Sequence, residues 1–393
     1  MTTSSATKVV IVGGGPAGTL LSHILDSHGI DNVVLELRSR DYVLGRIRAG
    51  VIEQGSADLL RKYGVANRMD HEGFSHEGVN LAWAGRLFRV DFVGLTGSLV
   101  TIYGQTQIQR DLYEARDAAD ATVVFEAENV TLHDLDTNRP SVTYEVRGER
   151  QTVQCEFVAG CDGTHGTSSS YIPAELVKTY ENVYPFGWLG ILSETPPIND
   201  ELIYANHPRG FALCSMRDPL LSRYYIQCPL DTDLEAWPDD RFWEELGKRL
   251  PAQVAETLVT GPSIDKSVTP LASVVREPMQ HGKLFLAGDA AHVVPPTGAK
   301  GLNLAISDIY HLSAALIEYY ESGSMAALDC YTERALTRVW KAVRFSWWMT
   351  NLMHQFPGEG AFALKMQEAE LGYLASSTAA QTALAENYVG LPF

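Results

Sequence analysis

The sequence predicts an α/β fold with three parts: a parallel-sheet domain, a β-sheet domain and a helical C-terminal region. Three observations predict it. Residues 8–36 run strand, glycine-rich turn, helix and second strand. Residues 184–229 hold several short segments rich in Tyr, Phe and Ile. From 302 to about 385 the pattern is mostly helical, without an internal repeat or a low-complexity linker.

Taken in order, residues 8–12 form a short β-branched strand buried on both faces, 17–27 a helix, and 33–36 a second apolar strand. That unit opens a parallel sheet. Residues 79–103 read as short alternating strands separated by glycines, and 113–119 as helix. Residues 141–158 are strand-rich again and end at an apolar edge before Gly160. Residues 239–250 form an amphipathic helix with Phe242, Leu246 and Leu250 on one face. Residues 284–287 are a strand running into Gly288 and Asp289.

Bulk properties narrow the function. The chain has 393 residues, 45% hydrophobic and 20% charged. No apolar run approaches the roughly 20 residues that span a bilayer. Residues 1–7 are short and polar and lead straight into a strand, so no secretory signal is expected. A net charge of -17 opposes binding to a phosphate backbone, which excludes nucleic acid as an expected partner. Local arginines can still hold a small anion. The cysteines, Cys155, Cys161, Cys214, Cys228 and Cys330, are odd in number and lack paired short spacings. Neither a disulfide framework nor a metal site is expected, and reduced thiols fit a cytoplasmic location.

Gly13-Gly14-Gly15-Pro16-Ala17-Gly18 satisfies G-x-G-x-x-G between strand and helix. Gly13 allows the tight turn, Gly15 lets a pyrophosphate approach the backbone, and Gly18 permits close helix–strand packing. The helix N-terminus offers oriented N–H groups to phosphates. Glu36, at the end of the second strand, is placed to accept hydrogen bonds from ribose hydroxyls. This motif alone leaves FAD and a nicotinamide cofactor both open. Two later segments bear on the choice: Ala159-Gly160-Cys161-Asp162-Gly163, and the run from Leu284 to His292 containing Gly288-Asp289. Either later segment alone could be an ordinary turn; the glycine-rich turn and both segments together, in this order, are not.

With these motifs the chain resembles the single-component FAD-dependent aromatic hydroxylases, and within them those acting on hydroxybenzoates, over nearly its whole length. The segments that carry the resemblance are 41–50 (DYVLGRIRAG), 184–190 (YPFGWLG), 202–215 (LIYANHPRGFALCS), 295–303 (PPTGAKGLN) and 386–392 (ENYVGLP). The resemblance implies an FAD-binding Rossmann-like domain over 1–178 and a substrate-binding β-sheet domain over 179–293. A flavin-lining loop and a helical C-terminal, interface-forming region would occupy 294–393. It implies hydroxylation of 4-hydroxybenzoate to 3,4-dihydroxybenzoate with NAD(P)H and O2, through a flavin C4a-hydroperoxide, in a homodimer. For the flavin it implies Glu36 at the ribose, Arg48 at the pyrophosphate, and Gln105 and Asp289 at the ribityl chain. Asp162 would serve both flavin and NAD(P)H. The loop from Pro296 through Thr297 and Lys300 would line the isoalloxazine, with the backbone at Leu302 and Asn303 polarising it.

Placing an oxygen ortho to a phenol needs an electron-rich ring, hence a group that accepts the hydroxyl proton and a cation that holds the carboxylate. By resemblance, Tyr204 bonds the substrate hydroxyl, Tyr388 passes the proton on, and His76 is the exit to solvent; two phenols share a proton with little pKa mismatch. Arg223 is the expected carboxylate anchor, since guanidinium grips a carboxylate in two parallel bonds. Ser215, Arg217 and Tyr225 alternate on neighbouring strand-like segments, so they can share its face. Ser215 and Tyr225 would assist at the carboxylate, and Arg217 would lie near substrate and flavin. The Pro296 carbonyl can face the substrate ring.

The match departs at the nicotinamide. Arg46, Arg48 and His165 stand where the family contacts the pyridine nucleotide, but Leu37, Ser169 and Ala272 replace expected arginines. Arg38, Arg40 and Tyr42, on a short helical segment, are alternative holders of a 2′-phosphate. NADPH is the expected reductant, with NADH use left open. A relative of different specificity would alter Tyr204, Tyr225 or Arg223, and a redox-inert binding protein would lose the Gly-Asp segment or the flavin loop; all are intact. Trp340, Phe345, Trp347, Trp348 and Met349 suit either an internal face or a subunit contact.

Overall fold

The computed structural model describes residues 3–45 and 50–393. Arg46 and Arg48, expected at the cofactors, lie outside the described residues. A six-stranded sheet is ordered Gln280–His281, Leu284–Leu286, Phe157–Gly160, Val9–Val12, Asn32–Glu36, Val123–Phe125. All its pairings are parallel except the Gln280–His281 edge. Val9, Val10 and Ile11 are fully buried, as a parallel strand covered on both faces requires. Each such side chain contributes about 1.5–3 kcal/mol of transfer free energy. The helix Pro16–Ser27 starts with proline, whose missing N–H is harmless at a first helical position, and packs on the helices Gln105–Ala118 and Gly301–Ser322.

Two elements differ from the sequence reading for local reasons. The helix expected at 113–119 begins at Gln105, because the Gln107 side chain folds back to accept from Gly104 N at 2.9 Å and stabilises a polar first turn that carries no apolar period. The 79–103 region holds the strands Gly78–Trp83, Arg86–Asp91 and Val100–Ile102, but also a short helix, Phe92–Thr96. The Asp91 carboxylate caps that helix, accepting from Gly94 N, and Gly97 at φ 73° ends it.

An eight-stranded sheet is ordered His292–Val293, Ser263–Glu277, Lys178–Ser193, Leu221–Cys228, Ala212–Asp218, Ile203–Ala205, Gly78–Trp83, Arg86–Asp91. Strand alternation gives it two apolar faces. Leu189, Ile191, Ile203, Cys214, Tyr224 and Ile226 face the helix Asp239–Arg249, where Phe242 and Leu246 are fully buried as its periodicity predicts. Trp188, Tyr204, Leu213 and Tyr225 point the other way, toward Phe345, Met349 and Tyr388 of the C-terminal helices. Two segments cross between the sheets: Gly78–Asp91 joins the larger one beside Ile203–Ala205, and Leu284–Leu286 returns to the smaller. Among the described residues no helix is long and apolar enough to cross a membrane.

Candidate active site

The glycine cluster performs three separate tasks. Gly13 has φ 104°, and a Cβ there would sit 2.8 Å from Asp162 Cα and closer still to the Cys161 carbonyl. At Gly18 a Cβ would strike the Gly13 carbonyl and come within 3.1 Å of Ile11 Cγ2. Around the Cβ position of Gly15, by contrast, no atom of the described residues beyond its chain neighbours lies within 4 Å. The turn is therefore packed tight on both flanks and open where a phosphate would approach, at the N-terminus of Pro16–Ser27. The buried Glu36 carboxylate accepts from Gly14 N at 2.7 Å and Arg38 N at 2.8 Å. Gln109 and Tyr113 donate to the Gly14 carbonyl at 3.1 and 2.8 Å. They lie one turn apart on a helix, and that spacing was the only sequence signal for this role.

The later motifs converge on the same end of the parallel sheet. Asp162 stands two residues past the strand Phe157–Gly160; one of its oxygens accepts from Ser168 N at 2.9 Å, and burial raises its pKa. Its other oxygen is buried without a protein partner among the described residues, an acceptor that a cofactor donor can use. Asp289 is half-buried in the turn Gly288–Ala290. A pair missed by the sequence reading braces that turn: Asp308 accepts from Gly288 N at 2.8 Å and bonds His292 Nε2 at 2.6 Å. Burial opposes a charged His292, but Asp308 prevails and raises its pKa. Gln105 begins its helix, half-buried.

The loop at 296–303 is fixed from three sides. Thr297 is buried and receives a 3.0 Å bond from Thr350, and Ala299 sits in the left-handed region at φ 54° with its N–H on the Pro296 carbonyl. That conformation costs about 1–2 kcal/mol in a non-glycine residue, and here it turns Lys300 inward. Lys300 donates to Glu53 at 2.6 Å and to the Tyr388 carbonyl at 3.0 Å. Burial lowers its pKa and Glu53 opposes this. Arg338 holds the other Glu53 oxygen and the Leu391 carbonyl. Asn303 ties the loop to the strand Val51–Ile52 through Val51 O at 2.8 Å and Glu53 N at 2.9 Å. Leu302 is partly buried and Pro296 is exposed. Glu53 and Arg338, far apart in sequence, gave no signal of this clamp.

Strand register then assembles a row of side chains. Ser267, Gly190, Tyr225, Leu213 and Tyr204 are directly opposite one another across successive strands. In the adjacent row stand Asp265, Leu192, Arg223 and Ser215. Opposed residues share a face, so both rows look toward the C-terminal helices. At one end, the Tyr204 and Tyr388 hydroxyls are 2.9 Å apart and wholly buried. Burial pushes Tyr204 up to about 12, against the bond from Tyr388, and raises Tyr388 further. Phe92 stacks on Tyr388 at 4.9 Å, and its N–H bonds the carbonyl of Glu77, next to His76. His76 is buried and lowered to about 4 by that burial; among the described residues neither ring nitrogen has a partner.

At the other end lie two guanidiniums. Arg223 pairs with Asp265, donates to Ser267 at 3.2 Å and lies 5.2 Å from the Tyr225 ring centroid. Arg217 bonds Tyr225, has its pKa lowered chiefly by burial, and keeps a buried Nε without a partner among the described residues. Ser215 directs its hydroxyl to the Met216 carbonyl at 3.3 Å. Gly190 leaves room for this cluster, because a Cβ there would fall 2.6 Å from the Tyr225 ring.

The nicotinamide candidates scatter. Arg40 makes a two-point bond to Asp117, at 3.0 and 2.5 Å. Arg38 is exposed, 5.3 Å from the ring of Tyr42, and His165 is exposed beyond the Asp162 turn.

The FAD binding domain family matches residues 6–346. The p-hydroxybenzoate hydroxylase of Acinetobacter baylyi is 55% identical over 98% of this chain and 96% of its own length. A 6-hydroxy-3-succinoylpyridine 3-monooxygenase of Pseudomonas putida is 26% identical over 90% and 91%. Among solved structures, the p-nitrophenol 4-monooxygenase of Pseudomonas putida superposes with a TM-score of 0.83 at 19% identity, covering 99% of this chain and 100% of that one, which speaks for the fold alone. The chain belongs to the FAD-binding aromatic hydroxylases, in the branch that contains p-hydroxybenzoate hydroxylase.

Proposed function

We infer that this chain is an FAD-dependent monooxygenase that hydroxylates 4-hydroxybenzoate at position 3, forming 3,4-dihydroxybenzoate with NAD(P)H and O2. The observation that carries this reading is the row geometry: Tyr204, bonded to Tyr388 of the C-terminal helix above it, at one end of one sheet face, and guanidiniums at the other. A para-hydroxy acid presents those two demands at opposite ends of a rigid ring.

FAD fits the residues present: the open Gly15 cradle with Glu36 for the ADP half, and Asp162, Asp289, Gln105 and the 296–303 loop for the rest. Bound there and reduced by NAD(P)H, it would activate O2, one atom of which enters the ring while the other leaves as water. The chain's own groups do the remainder. Tyr204 accepts the substrate's hydroxyl proton while its own moves to the Tyr388 hydroxyl 2.9 Å away, which passes one on, so that neither tyrosine carries a charge when the transfer is complete. His76, neutral and buried, is the next acceptor toward solvent. For the carboxylate, the better supported anchor is Arg217, with Ser215 and Tyr225 beside it, because Arg223 already holds Asp265. Arg223 acts from the adjacent row. The Pro296 carbonyl borders the ring.

The finer assignments follow the same logic. The parts 1–178, 179–293 and 294–393 divide as flavin, substrate and interface regions, with 78–91 and 284–291 crossing between the first two. NADPH is preferred, held by Arg38 with Tyr42 and His165 nearby, since Arg40 is committed to Asp117. A homodimer is supported by the C-terminal helices, where Phe345 and Met349 are buried, yet Trp347, Phe362, Met366 and Tyr373 are 50%, 76%, 49% and 55% exposed; a cytoplasmic location rests on the unpaired cysteines.

The test is NADPH oxidation by the FAD-loaded protein in air, with and without 4-hydroxybenzoate, the product identified by chromatography. Oxidation should rise sharply and 3,4-dihydroxybenzoate should appear in step. Oxidation that rises while only peroxide forms would remove the substrate assignment and leave the flavin one.

A further inference from the structure

Among the described residues Asp265 is the acidic side chain paired with a guanidinium at the carboxylate end of the row, and nothing in the hydroxylation chemistry asks for it there. It reaches Arg223 from the strand Ser263–Glu277, across Leu192, and is itself half-exposed at 48% while Arg223 is 10% exposed. Its neighbour Lys266 points to the opposite face and is occupied by Asp239 and the Trp237 carbonyl, so it does not offset Asp265. Ser267 holds the second Arg223 amino group, leaving the guanidinium pinned at two points beside the Tyr225 ring. Arg217 bonds the same Tyr225 side chain, and burial first, then Arg223's charge, works against its own positive charge. Two guanidiniums less one carboxylate leave one net positive charge at this end of the pocket. That balance matches a single substrate carboxylate.

We propose that Asp265 is a specificity-determining residue that sets the charge of the carboxylate end, by neutralising Arg223 and so tuning the pocket to a monocarboxylate. The proposal rests on the reading that an aromatic acid lies with its carboxylate against Arg217. Removing the Asp265 charge raises the net charge of the site by one without touching Arg217, Tyr204 or Tyr388. An anion then binds more tightly and a neutral isostere does not. Asp265 is half in water, so the gain is moderate: about three- to tenfold for one ligand charge, well below that of a fully buried pair.

The experiment compares FAD-loaded wild type, Asp265→Asn and Asp265→Glu, titrated with 4-hydroxybenzoate and with 4-hydroxybenzamide and read as the perturbation of the flavin absorption band. Asp265→Asn should bind the benzoate about three- to tenfold more tightly and the benzamide within about twofold of wild type. Asp265→Glu, which keeps the charge, should bind both as wild type does. Equal tightening of both ligands would mean a change of shape and overturn the proposal. So would weaker benzoate binding, which would make Asp265 a support for Arg223's position only. If wild type bound neither ligand, the substrate reading itself would fall and the proposal with it.

Discussion

Alanine at Gly15 and alanine at Gly13 should have opposite consequences, although the two glycines are neighbours in one motif. At Gly15 the backbone is extended, φ -73° and ψ -176°, which any residue adopts, and among the described residues no atom beyond its chain neighbours lies within 4 Å of a Cβ. The apoprotein with Gly15→Ala should therefore be as stable as wild type, or more so by about 0.4–1 kcal/mol, because the unfolded chain loses freedom. The methyl group occupies the space that admits the pyrophosphate, and overpacking of that kind costs about 1–3 kcal/mol. FAD affinity should fall about ten- to hundredfold at 1.4 kcal/mol per factor of ten. At Gly13, φ 104° and the Cys161 carbonyl both forbid a Cβ, so Gly13→Ala should destabilise the apoprotein itself, by about 1–3 kcal/mol. Denaturant unfolding of the apoproteins and quenching of FAD fluorescence on binding separate the two effects. Gly15→Ala binding FAD as tightly as wild type would refute the cradle assignment.

Other expectations follow from the same geometry. Tyr388→Phe removes the hydroxyl that takes the proton from Tyr204, so hydroxylation should slow about a hundredfold; an unchanged rate would exclude the relay. Arg217→Lys should weaken 4-hydroxybenzoate binding by about tenfold, seen in the same flavin-band titration, because an ammonium cannot make two parallel bonds. Arg38→Ala should raise the KM for NADPH and leave that for NADH nearly unchanged; parallel changes would remove Arg38 from the 2′-phosphate. His354 is lowered to about 3 by burial and accepts from Trp188 Nε1 at 2.7 Å, so it folds neutral. Its unfolded form takes a proton below pH 6.5, so stability present above 6.5 is lost as pH falls from there toward 3, by about 1.4 kcal/mol per unit. Unfolding at pH 6.5 and pH 5 should show a smaller loss for His354→Gln, whose side-chain oxygen can still accept from Trp188; equal losses would assign the acid sensitivity elsewhere.

Legibility followed the range of the interactions. The turn at 13–18, the buried strands and the amphipathic helix at 239–249 are local patterns, and periodicity and glycine spacing reveal them directly. Tyr204, Arg217, Arg223 and Tyr225 were visible through matching segments, but which guanidinium stays unpaired was not. That depends on Asp265, whose approach to Arg223 is set by the register of a strand about 40 residues on. Glu53 with Lys300 and Arg338, and His292 with Asp308, were equally hidden: buried ion pairs between distant elements leave no periodic trace. The helix Phe92–Thr96 was read as strand because its five residues are too few to show a 3.6-residue period, while Asp91 and Gly97 carry the information at its ends.

The most direct measurement is the yield of 3,4-dihydroxybenzoate per NADPH oxidised by FAD-loaded Tyr204→Phe. If Tyr204 takes the substrate's proton, 4-hydroxybenzoate should still bind and still stimulate NADPH oxidation, while product falls steeply and peroxide replaces it. Product formed at the wild-type ratio would contradict the account, because the ring would then be activated without the phenol pair at the end of the row.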